Sequence, residues 1–504
     1  MLVVGAGPTG LLLASELQRR RVPCELIDAR PAPLHWDRAT VVHPRSLEVL
    51  ESLGLIGRFL DAGTPQRAAK IHSDGSLLGA VDLSCSGSSY PFNLGMSEEV
   101  TESILTDYLH EQGGEVSRSS RLVGLTPHSD GVLADVERNG DRDQVEAGWV
   151  VGCDGLHSPT RDAVGIGLEG HDIAEPWAVF DATAKGWTEA FDAIFVYFDA
   201  IPVILTPLPG RRWRVYLRPT SADSDLVDDA ASTIRRYYPA ASFVEVENPR
   251  RFHCHSMVAA RFRSGPVLLA GDAGHLCSPA QGHGMNTGLQ DAANLAWKLA
   301  LVYEGAAEAA LLDSYEAERR PIAEAVARSG DDIERAMTLT DPGERETRDE
   351  AIRARLADPA SRHHEAAAEA ELNVDYSESP IVSGDADDQL APGQRLPQVI
   401  DVQPAGAGPC RLHELTHRAG HTLVLLGSPT ADLVSATEER ANGSPLFEAF
   451  VQIGWLDPAA AGVLGIRGTT LLAVRPDGYI GLRADAEHLT ALERYHALIR
   501  NGHP

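Results

Sequence analysis

The sequence predicts an α/β fold, α+β overall, in which a domain of strands and helices is interrupted by a mostly antiparallel sheet and followed by a further unit. Three observations predict this. Glycine-rich turns follow short apolar strands near both ends of residues 1–340. Aromatic or β-branched residues alternate with polar residues over 166–265. Apolar strands return after residue 390. Because 504 residues exceed the size of one hydrophobic core, two or three domains are expected.

The first glycine-rich turn lies at the N-terminus. Apolar residues 2–4 lead into Gly5-Ala6-Gly7-Pro8-Thr9-Gly10 and then into an apolar helix. In this GxGxxG pattern the first glycine permits a tight turn, the second lets the backbone approach a pyrophosphate, and the third lets the helix pack on the strand. A second strand, residues 24–27, delivers Asp28, whose carboxylate would accept hydrogen bonds from a ribose. The pattern predicts a Rossmann-like, dinucleotide-binding domain.

A second turn organises the rest of the chain. Apolar residues 267–270 run into Gly271-Asp272, a glycine-punctuated bend occupies residues 279–284, and a long amphipathic helix opens near Met285-Asn286. A strand, a bend and a helix N-terminus together present unpaired backbone N–H groups. The segment is therefore expected to bind a negatively charged group.

A third turn, Gly152-Cys153-Asp154-Gly155, closes the apolar strand 149–151 and is followed by Ser158 and Arg161. These three turns, in this order, resemble the class A, single-component FAD-dependent aromatic hydroxylase (monooxygenase) family. The likeness extends to residues 315–321 and 375–381, so it covers most of the chain. It is highly specific for FAD binding and much less specific for the substrate.

The resemblance implies a division into domains. A discontinuous FAD-binding domain would comprise residues 1–69, 96–165 and 266–340, with a substrate-binding sheet domain at 70–95 and 166–265, a helical connector at 341–389 and a thioredoxin-like domain at 390–504. The connector's charges are expected to be solvated. The last domain contains lone Cys410 and no CxxC, so it is expected to be structural.

The resemblance also implies the residues that contact a non-covalently bound FAD. They are Gly5, Gly7, Pro8, Thr9, Gly10, Asp28, Arg30, Arg38, Glu98, Asp154, Gly271, Asp272, Pro279, Gly282, Gly284, Met285 and Asn286. The arginines suit phosphate oxygens. Glu98 stands where many relatives have a glutamine that touches the flavin, which puts that contact in doubt. For Asp154, fixing its own turn is the slightly favoured role.

In the resembled family, FAD accepts hydride from NAD(P)H and reacts with O2 to give a C4a-hydroperoxide, which oxygenates an electron-rich ring. Pro279 would pack on the ring face near the reacting carbon. A phenol has a pKa of about 10, so forming its anion at pH 7 costs roughly 4 kcal/mol, which a protein base would offset. The candidate groups are His43, Tyr197, Tyr216 and His283. The expected activity is hydroxylation of a phenolic or polyketide-type aromatic substrate.

Alternatives remain open at this point. The same motifs permit a Baeyer–Villiger-type or antibiotic-inactivating flavin monooxygenase, a flavin reductase of isoprenoid double bonds, or a non-catalytic flavin or ligand-binding protein. A second GxGxxG is absent from the sequence, which favours the hydroxylase class with transiently bound NAD(P)H. The choice between NADH and NADPH, and the substrate itself, cannot be read from the residues.

Composition restricts the partners. A net charge of −28 argues against nucleic acid and anionic membranes, and no apolar run reaches the roughly 20 residues that span a bilayer. The cytoplasm is the expected location and a homodimer is possible. Six scattered cysteines suggest neither a disulfide framework nor a zinc knuckle. His253 and His255 alternate on one strand without a nearby third ligand, so no metal is predicted.

Overall fold

The structure, a computed structural model, describes residues 1–35, 39–128, 131–385 and 389–502. The elements of the N-terminal third are β1 (Leu2–Val4), α1 (Pro8–Arg19), β2 (Glu25–Ile27), β3 (Val41–Val42), α2 (Pro44–Ser52), α3 (Ile56–Ala62), β4 (Thr64–Gln66), β5 (Ala68–Ser73), β6 (Ser76–Asp82), β7 (Asn93–Gly95), α4 (Glu98–Glu111), β8 (Val116–Ser117), β9 (Ser120–His128), β10 (Gly131–Arg138), β11 (Asp141–Ala147), β12 (Val150–Gly152) and α5 (Pro159–Ala163).

The middle of the chain continues with a strand-rich stretch and then four helices. Its elements are β13 (Leu168–Asp172), β14 (Trp177–Lys185), β15 (Ala193–Tyr197), β16 (Val203–Leu208), β17 (Arg212–Leu217), α6 (Leu226–Ile234), β18 (Ser242–Phe252), β19 (His255–Ala259), β20 (Arg263–Ser264), β21 (Val267–Leu269), β22 (His275–Leu276), α7 (His283–Tyr303), α8 (Asp313–Met337), α9 (Pro342–Ala357) and α10 (Pro359–Glu369).

The C-terminal unit alternates strands and helices. Its elements are β23 (Ser383–Gly384), β24 (Asp401–Pro404), β25 (Cys410–Arg411), β26 (His421–Leu426), α11 (Ala431–Asn442), β27 (Phe447–Leu456), α12 (Pro458–Val463), β28 (Thr470–Val474), β29 (Ile480–Ala484) and α13 (His488–Asn501).

A six-stranded sheet, in the order β20-β21-β12-β1-β2-β8, carries the three glycine-rich turns. Strands β21, β12, β1, β2 and β8 are parallel, and only the edge strand β20 runs against them. Because the carboxyl ends of parallel strands meet at one sheet edge, the turns after β1, β12 and β21 become neighbours although they are distant in sequence. Helices α1 and α7 pack on one face, and apolar residues of β9 and β10 cover the other.

The second large sheet has seven strands in the order β18-β14-β17-β16-β15-β5-β6. Its pairs are antiparallel except for β15 with β5. The side chains alternate, so that Phe195, Tyr197 and Trp213 pack under α6 on one face. Ile194, Ile204 and Tyr216 share the other face with residues of α8–α10. The prediction of an α/β fold with a mostly antiparallel sheet is confirmed.

The connector helices correct one prediction. Ile352 and Leu356 of α9 and Ala366 of α10 are buried against the second sheet rather than bridging solvent. Their charges are not all solvated either, because Asp349 in α9 and Glu371 just after α10 are buried. These helices therefore belong to the body of the protein and close one side of the cavity described below.

The C-terminal unit contains a sheet in the order β23-β29-β28-β26-β27-β24-β25. Trp297 and Leu301 of α7 share an apolar core with residues of β26, β28 and α13, so the unit is packed onto the first domain. The predicted domain boundaries and the thioredoxin-like character of this unit stay predictions. Across the described part of the chain, no helix is long and apolar enough to cross a membrane.

Candidate active site

Residues of all three glycine-rich turns line one cavity of about 1060 Å³. Gly7, Asp154 and Asp272 line it, and so does Pro279 from the following bend. Ligand pockets commonly measure roughly 300–1,000 Å³, so this volume suits a large ligand or two smaller ones together. The turns thus meet around the same space, as the parallel sheet requires.

The glycines of the first turn serve different purposes. Gly5 has a φ of +102°, and a Cβ there would lie 2.3 Å from the carbonyl oxygen of Cys153. A Cβ on Gly10 would lie 1.9 Å from the carbonyl oxygen of Gly5, so this glycine lets α1 pack on β1. At Gly7 the nearest atom to such a Cβ is Glu102 Oε1, 3.9 Å away. The backbone of Gly7 is therefore open to the cavity.

Asp28 is held in place by the turn it serves. Its Oδ2 accepts from the backbone N–H of Ala6 at 2.8 Å, and its Oδ1 accepts from that of Arg30 at 2.8 Å. Burial alone would raise the pKa of Asp28, but the hydrogen bonds from Arg30 and Ala6 hold it below its ordinary value. Asp28, Arg30 and Glu98 all line the cavity. Arg38 lies outside the described residues.

Asp154 fixes the turn between β12 and α5. It accepts from the backbone N–H of Thr160 at 2.9 Å, from the Thr160 hydroxyl at 2.7 Å and from the Ser158 hydroxyl. Burial raises the pKa of Asp154. These bonds agree with the turn-fixing role, and the carboxylate borders the cavity while doing so.

Arg161 joins the second and third turns. Its buried guanidinium donates to the carbonyl oxygens of Leu156 at 2.7 Å and Ala273 at 3.1 Å. A role for Arg161 was not predicted from the sequence. Its position just after Asp154-Gly155 is the only signal, since its carbonyl partners have no side-chain signature.

The turn at Gly271-Asp272 is fixed from below by Asp291 of α7. Asp291 Oδ2 accepts from the backbone N–H of Gly271 at 3.0 Å and contacts His275 Nε2 at 2.7 Å, while its Oδ1 accepts from Arg319 at 2.7 Å. Asp291 and Arg319 are fully buried. Asp272 is exposed to the cavity. A buried ion pair thus positions the backbone of the turn.

The bend at residues 279–284 leads into α7. Gly282 has a φ of +71° and caps the helix, and Pro279, Gly282, Gly284 and Met285 line the cavity. Asn286 does not. Its side chain accepts from the backbone N–H of His43 at 2.9 Å and donates to the carbonyls of Val41 and Gly282. The Asn286 side chain therefore anchors the bend, and the contact of Asn286 with the cofactor stays a prediction.

His43 and His283 lie behind this bend rather than in the cavity wall. His43 contacts Asn93 Oδ1 at 3.0 Å and the carbonyl oxygen of Gln281 at 3.1 Å. His283 Nδ1 lies 2.6 Å from Glu371 Oε1, and the two imidazoles stack at 4.8 Å. The structure thus corrects their placement as substrate bases, because both rings are engaged on the far side of the loop.

Tyr197 and Tyr216 lie on opposite faces of the second sheet. Tyr197 is fully buried under α6, on the sheet face turned away from the cavity, so it does not reach a substrate there. Tyr216 lines the cavity, with its hydroxyl 3.1 Å from Thr40 Oγ1. Burial raises the pKa of Tyr216, which keeps the phenol neutral and makes it a hydrogen-bond donor rather than a base.

The cavity wall formed by the second sheet is mostly apolar and includes Ala69, Ile71, Val81, Ile194, Val196, Phe198 and Ile204. The helix wall contains Ile333, Ala336 and Ile352, together with the charged side chains of Asp332, Arg355 and Glu365. The cavity-lining histidines are His157, His253, His255 and His364. His255 Nδ1 lies 2.7 Å from Asp172 Oδ1. The sequence had shown His253 and His255 only as an alternating pair.

The sequence profile described as FAD binding domain matches residues 1–329 of the chain. The chain is 36% identical over 336 residues to the 6-methylpretetramide 4-monooxygenase of Streptomyces rimosus, a match that spans 64% of this chain but only 59% of the relative. It is 32% identical over 514 residues to the 12-dehydrotetracycline 5-monooxygenase/anhydrotetracycline 6-monooxygenase of Streptomyces rimosus subsp. rimosus, covering 95% of this chain and 94% of that one.

Among solved structures, the fold is similar to that of the OxyS anhydrotetracycline hydroxylase from Streptomyces rimosus. The TM-score is 0.79 and the identity 30%, with 100% of this chain and 99% of that chain covered. The similarity therefore extends through the C-terminal unit as well as through the two cavity-forming sheets.

Proposed function

Because this chain belongs to the FAD binding domain family, we propose that it is a flavin-dependent monooxygenase that uses NAD(P)H and O2 to hydroxylate a phenolic or polyketide-type aromatic substrate. One observation carries the proposal. The cavity is bordered on one half by three backbone turns and on the other by an apolar sheet wall, so it suits a cofactor with phosphates and an aromatic substrate side by side.

The residues present fit FAD. Gly7 leaves a gap that a Cβ would fill, and the N-terminus of α1 directs backbone N–H groups there, as a pyrophosphate requires. Asp28 and Arg30 would face the adenosine end, and Asp272 the ribityl chain. The bend 279–284 and the N-terminus of α7 would meet the isoalloxazine. When bound and reduced by NAD(P)H, FAD supplies the reaction of O2 that transfers one oxygen atom to the ring.

The chain's own residues would hold the bound molecules in position, stabilise negative charge and exclude water from the cavity. The N-terminus of α7 carries a partial positive charge, which stabilises a nearby anion by about 0.3–2 kcal/mol. The networks around Asp291 and His43 hold that terminus and its loop rigid before any ligand arrives. The apolar wall excludes water, and Tyr216 offers a neutral hydroxyl to a substrate oxygen.

The substrate class is inferred from the cavity and from the relatives. The names of the two relatives described above specify polycyclic tetracycline-type compounds. An apolar sheet face that includes Ile71, Ile194 and Ile204, in a cavity of about 1060 Å³, suits a fused ring system. The homodimer and the cytoplasmic location stay predictions from the sequence.

The decisive experiment measures coupled turnover. Purified protein should be yellow, and it should oxidise NADPH or NADH and consume O2 faster when a phenol or polycyclic aromatic from a panel is added. Product mass should rise by one oxygen atom, and released peroxide measures the uncoupled fraction. A colourless protein that FAD does not reconstitute would contradict the proposal.

A wall variant separates substrate from cofactor binding. Ile204→Trp fills the apolar half of the cavity, so we expect FAD to remain bound while the stimulation of NAD(P)H oxidation by the aromatic is lost. Val123→Trp, at an exposed position of β9, is the matched control and should behave like the wild type.

The alternative activities give different products. Oxygen insertion beside a ketone would indicate the Baeyer–Villiger alternative, and reduction of the substrate without O2 uptake would indicate the flavin reductase. Absence of NAD(P)H-dependent flavin reduction would indicate a binding protein.

A further inference from the structure

Away from the cavity, a group of metal-ligand side chains lies where the C-terminal unit meets α2. Glu51 belongs to the last turn of α2, His413 lies within the short 3₁₀ helix Leu412–Thr416, and His417 directly follows that helix. One ligand atom from each of the three residues lies within 4.8 Å of the others. No metal was predicted from the sequence, although residues 413–417 read His-Glu-Leu-Thr-His, the HExxH spacing that can direct two imidazoles to one zinc ion.

His413 is arranged as a ligand. Its Nδ1 lies 2.8 Å from the carbonyl oxygen of Gln398 and must donate, because a carbonyl only accepts. A neutral His413 therefore carries its lone pair on Nε2. That atom is buried, has no hydrogen-bond partner in the described part of the chain, and lies 3.4 Å from Glu51 Oε2. A lone pair facing a carboxylate is unfavourable unless a cation, either a proton or a metal ion, lies between them.

The distance between the His413 and Glu51 ligand atoms suits a tetrahedral ion. With zinc bonds of about 2.0–2.1 Å to nitrogen and about 2.0–2.2 Å to oxygen, two ligand atoms of a tetrahedron lie about 3.3–3.5 Å apart. The separation of His413 Nε2 and Glu51 Oε2 is 3.4 Å. Both histidines also line a cavity of about 40 Å³, which has room for a water as fourth ligand.

The surroundings orient these ligands. The Gln398 carbonyl fixes the His413 ring, which is the usual second interaction of a metal-bound histidine, and the Gln398 side chain donates to Glu51 Oε2 at 3.1 Å. The cluster of His43, His283 and Glu371 has the same composition but differs in this respect. There both nitrogens of His43 are hydrogen-bonded, and His283 is bonded to Glu371.

Glu414, the glutamate of the HExxH pattern, makes a hydrogen bond outside the cluster. Glu414 is exposed, and its Oε2 accepts from the backbone N–H of Arg411, which caps the start of the 3₁₀ helix. It therefore does not act as the general base of a zinc peptidase, and the geometry favours a structural role for the ion.

We propose that Glu51, His413 and His417 bind a divalent transition-metal ion of the zinc type, completed by water, and that this ion ties the C-terminal unit to α2. Two imidazoles and one carboxylate form a donor set typical of zinc. The proposal does not depend on the monooxygenase activity, since the three ligands lie outside the cavity that would hold FAD.

The test uses the full-length, untagged, FAD-loaded protein after treatment with EDTA. Calorimetric titration with ZnCl2 should show one ion bound per chain. His413→Ala and His417→Ala should each weaken binding by at least ~100-fold, more than the loss of an outer-sphere partner costs. Glu51→Gln, which keeps the shape, should weaken it too. His110→Ala, at an exposed position of α4, is the control and should bind zinc like the wild type.

Two further readouts make the result unambiguous. CoCl2 in place of zinc should give the intense visible absorption of a tetrahedral site in the wild type and in His110→Ala but not in His413→Ala. The flavin absorption spectrum should be the same in all variants, which shows that they are folded. Failure to bind one equivalent, or equal binding by His413→Ala and the wild type, would overturn the proposal in favour of a simple His413–Glu51 ion pair.

Discussion

At the scale of single residues, Gly7 and Gly10 show why one motif contains glycines for unlike reasons. Gly7 has an ordinary extended conformation, with φ −79° and ψ −178°, and its Cβ position is empty. Gly10 is pressed against the carbonyl of Gly5. Gly7 therefore leaves room for a ligand beside the backbone, whereas Gly10 serves the fold.

Two alanine substitutions test this difference. Gly7→Ala should leave the unfolding free energy of the apo-protein unchanged but lower the affinity for FAD at least about tenfold, which is ~1.4 kcal/mol. Gly10→Ala should destabilise the apo-protein by about 1–3 kcal/mol, because its Cβ overlaps backbone. Urea denaturation and FAD fluorescence titration measure the two effects. Equal behaviour of the two variants in both assays would contradict the assignment.

The His283–Glu371 pair predicts a pH-dependent stability. Burial alone would lower the pKa of His283, but the hydrogen bond and charge of Glu371, with a further contribution from Glu369, raise it above its ordinary value. The pair's contribution is complete below about pH 6.5, the unfolded pKa, and is lost as pH rises through the folded pKa. The neighbouring ring is that of His43, stacked on His283.

Glu371→Gln removes this dependence. The difference in unfolding free energy between wild type and variant, measured in urea from about pH 5.5 to about pH 8.5, should be largest at the acid end and shrink above about pH 6.5. Glu378→Gln, at an exposed position, should show no such trend. A difference that stays constant with pH would rule out the charged pair.

Site residues could be identified from the sequence where the local backbone conformation restricts the residue type. Glycines and aspartates in the three turns could be recognised because tight turns and strand ends impose residue types. The tyrosines could not be assigned, because their roles depend on which face of a strand they occupy, and the histidines could not, because both lie at helix starts whose packing the sequence does not reveal. Tyr197 lies between Val196 and Phe198, which both line the cavity, yet it points the other way. The composition of the strand does not reveal that phase.

At the scale of elements, α8 connects Ser278, just before the bend at residues 279–284, to the second sheet. Glu334 accepts from the Ser278 hydroxyl at 2.6 Å and from Trp177 Nε1 at 2.5 Å, and it is paired with the Arg218 guanidinium. Glu334 and Arg218 are both buried. One carboxylate thus holds together a loop and two strands from different parts of the chain.

Glu334→Ala should destabilise the protein by about 3–5 kcal/mol, because it leaves the buried Arg218 charge without its partner. The matched control is Glu324→Ala on the same helix, whose carboxylate forms a half-exposed pair with Arg320. That loss should cost no more than about 1 kcal/mol. Urea denaturation compares the two, and similar costs would show that the Glu334 contacts are energetically minor.

Strands and helices were predicted well where their hydrophobic pattern is periodic. The packing of a helix was predicted less well where it depends on the sheet that the helix contacts. The alternation of aromatic or β-branched with polar residues at 166–265 located the region of β15, β16 and β17. The alanine- and glutamate-rich residues of α9 and α10 were recognised as helical. Their place against the sheet was not, because Ile352 and Leu356 are too few to define an apolar face in the sequence.

At the scale of the whole molecule, a buried ionic network joins the C-terminal unit to the first domain. Arg475 donates to both carboxylate oxygens of Glu318, at 2.7 and 2.8 Å, and to Asp477. Lys298 lies 2.7 Å from Glu318, and burial lowers the pKa of Lys298 to about 8. All four side chains are almost fully inaccessible to solvent. The sequence shows these charges but not their convergence, since Arg475 and Glu318 are 157 residues apart in the chain.

Arg475→Ala should lower the unfolding free energy by about 3–5 kcal/mol and make the C-terminal unit sensitive to limited proteolysis. The loss leaves Asp477 buried without its main partner. Arg440→Ala removes an exposed pair with Glu493 within the same unit and should change stability by no more than about 1 kcal/mol. An Arg475→Ala protein as stable and as protease-resistant as the control would show that apolar packing alone docks the unit.

The two unlike halves of the large cavity have a practical consequence for directed evolution. The turns that suit FAD are made of backbone and are locked by buried networks, whereas the opposite wall consists of side chains such as Ile71, Ile194 and Ile204 on a rigid sheet. A mutant library confined to that wall would vary the accepted ring system while leaving the redox machinery intact. The architecture of the cavity thus separates backbone turns, which fit a cofactor, from sheet side chains that can be exchanged without disturbing those turns.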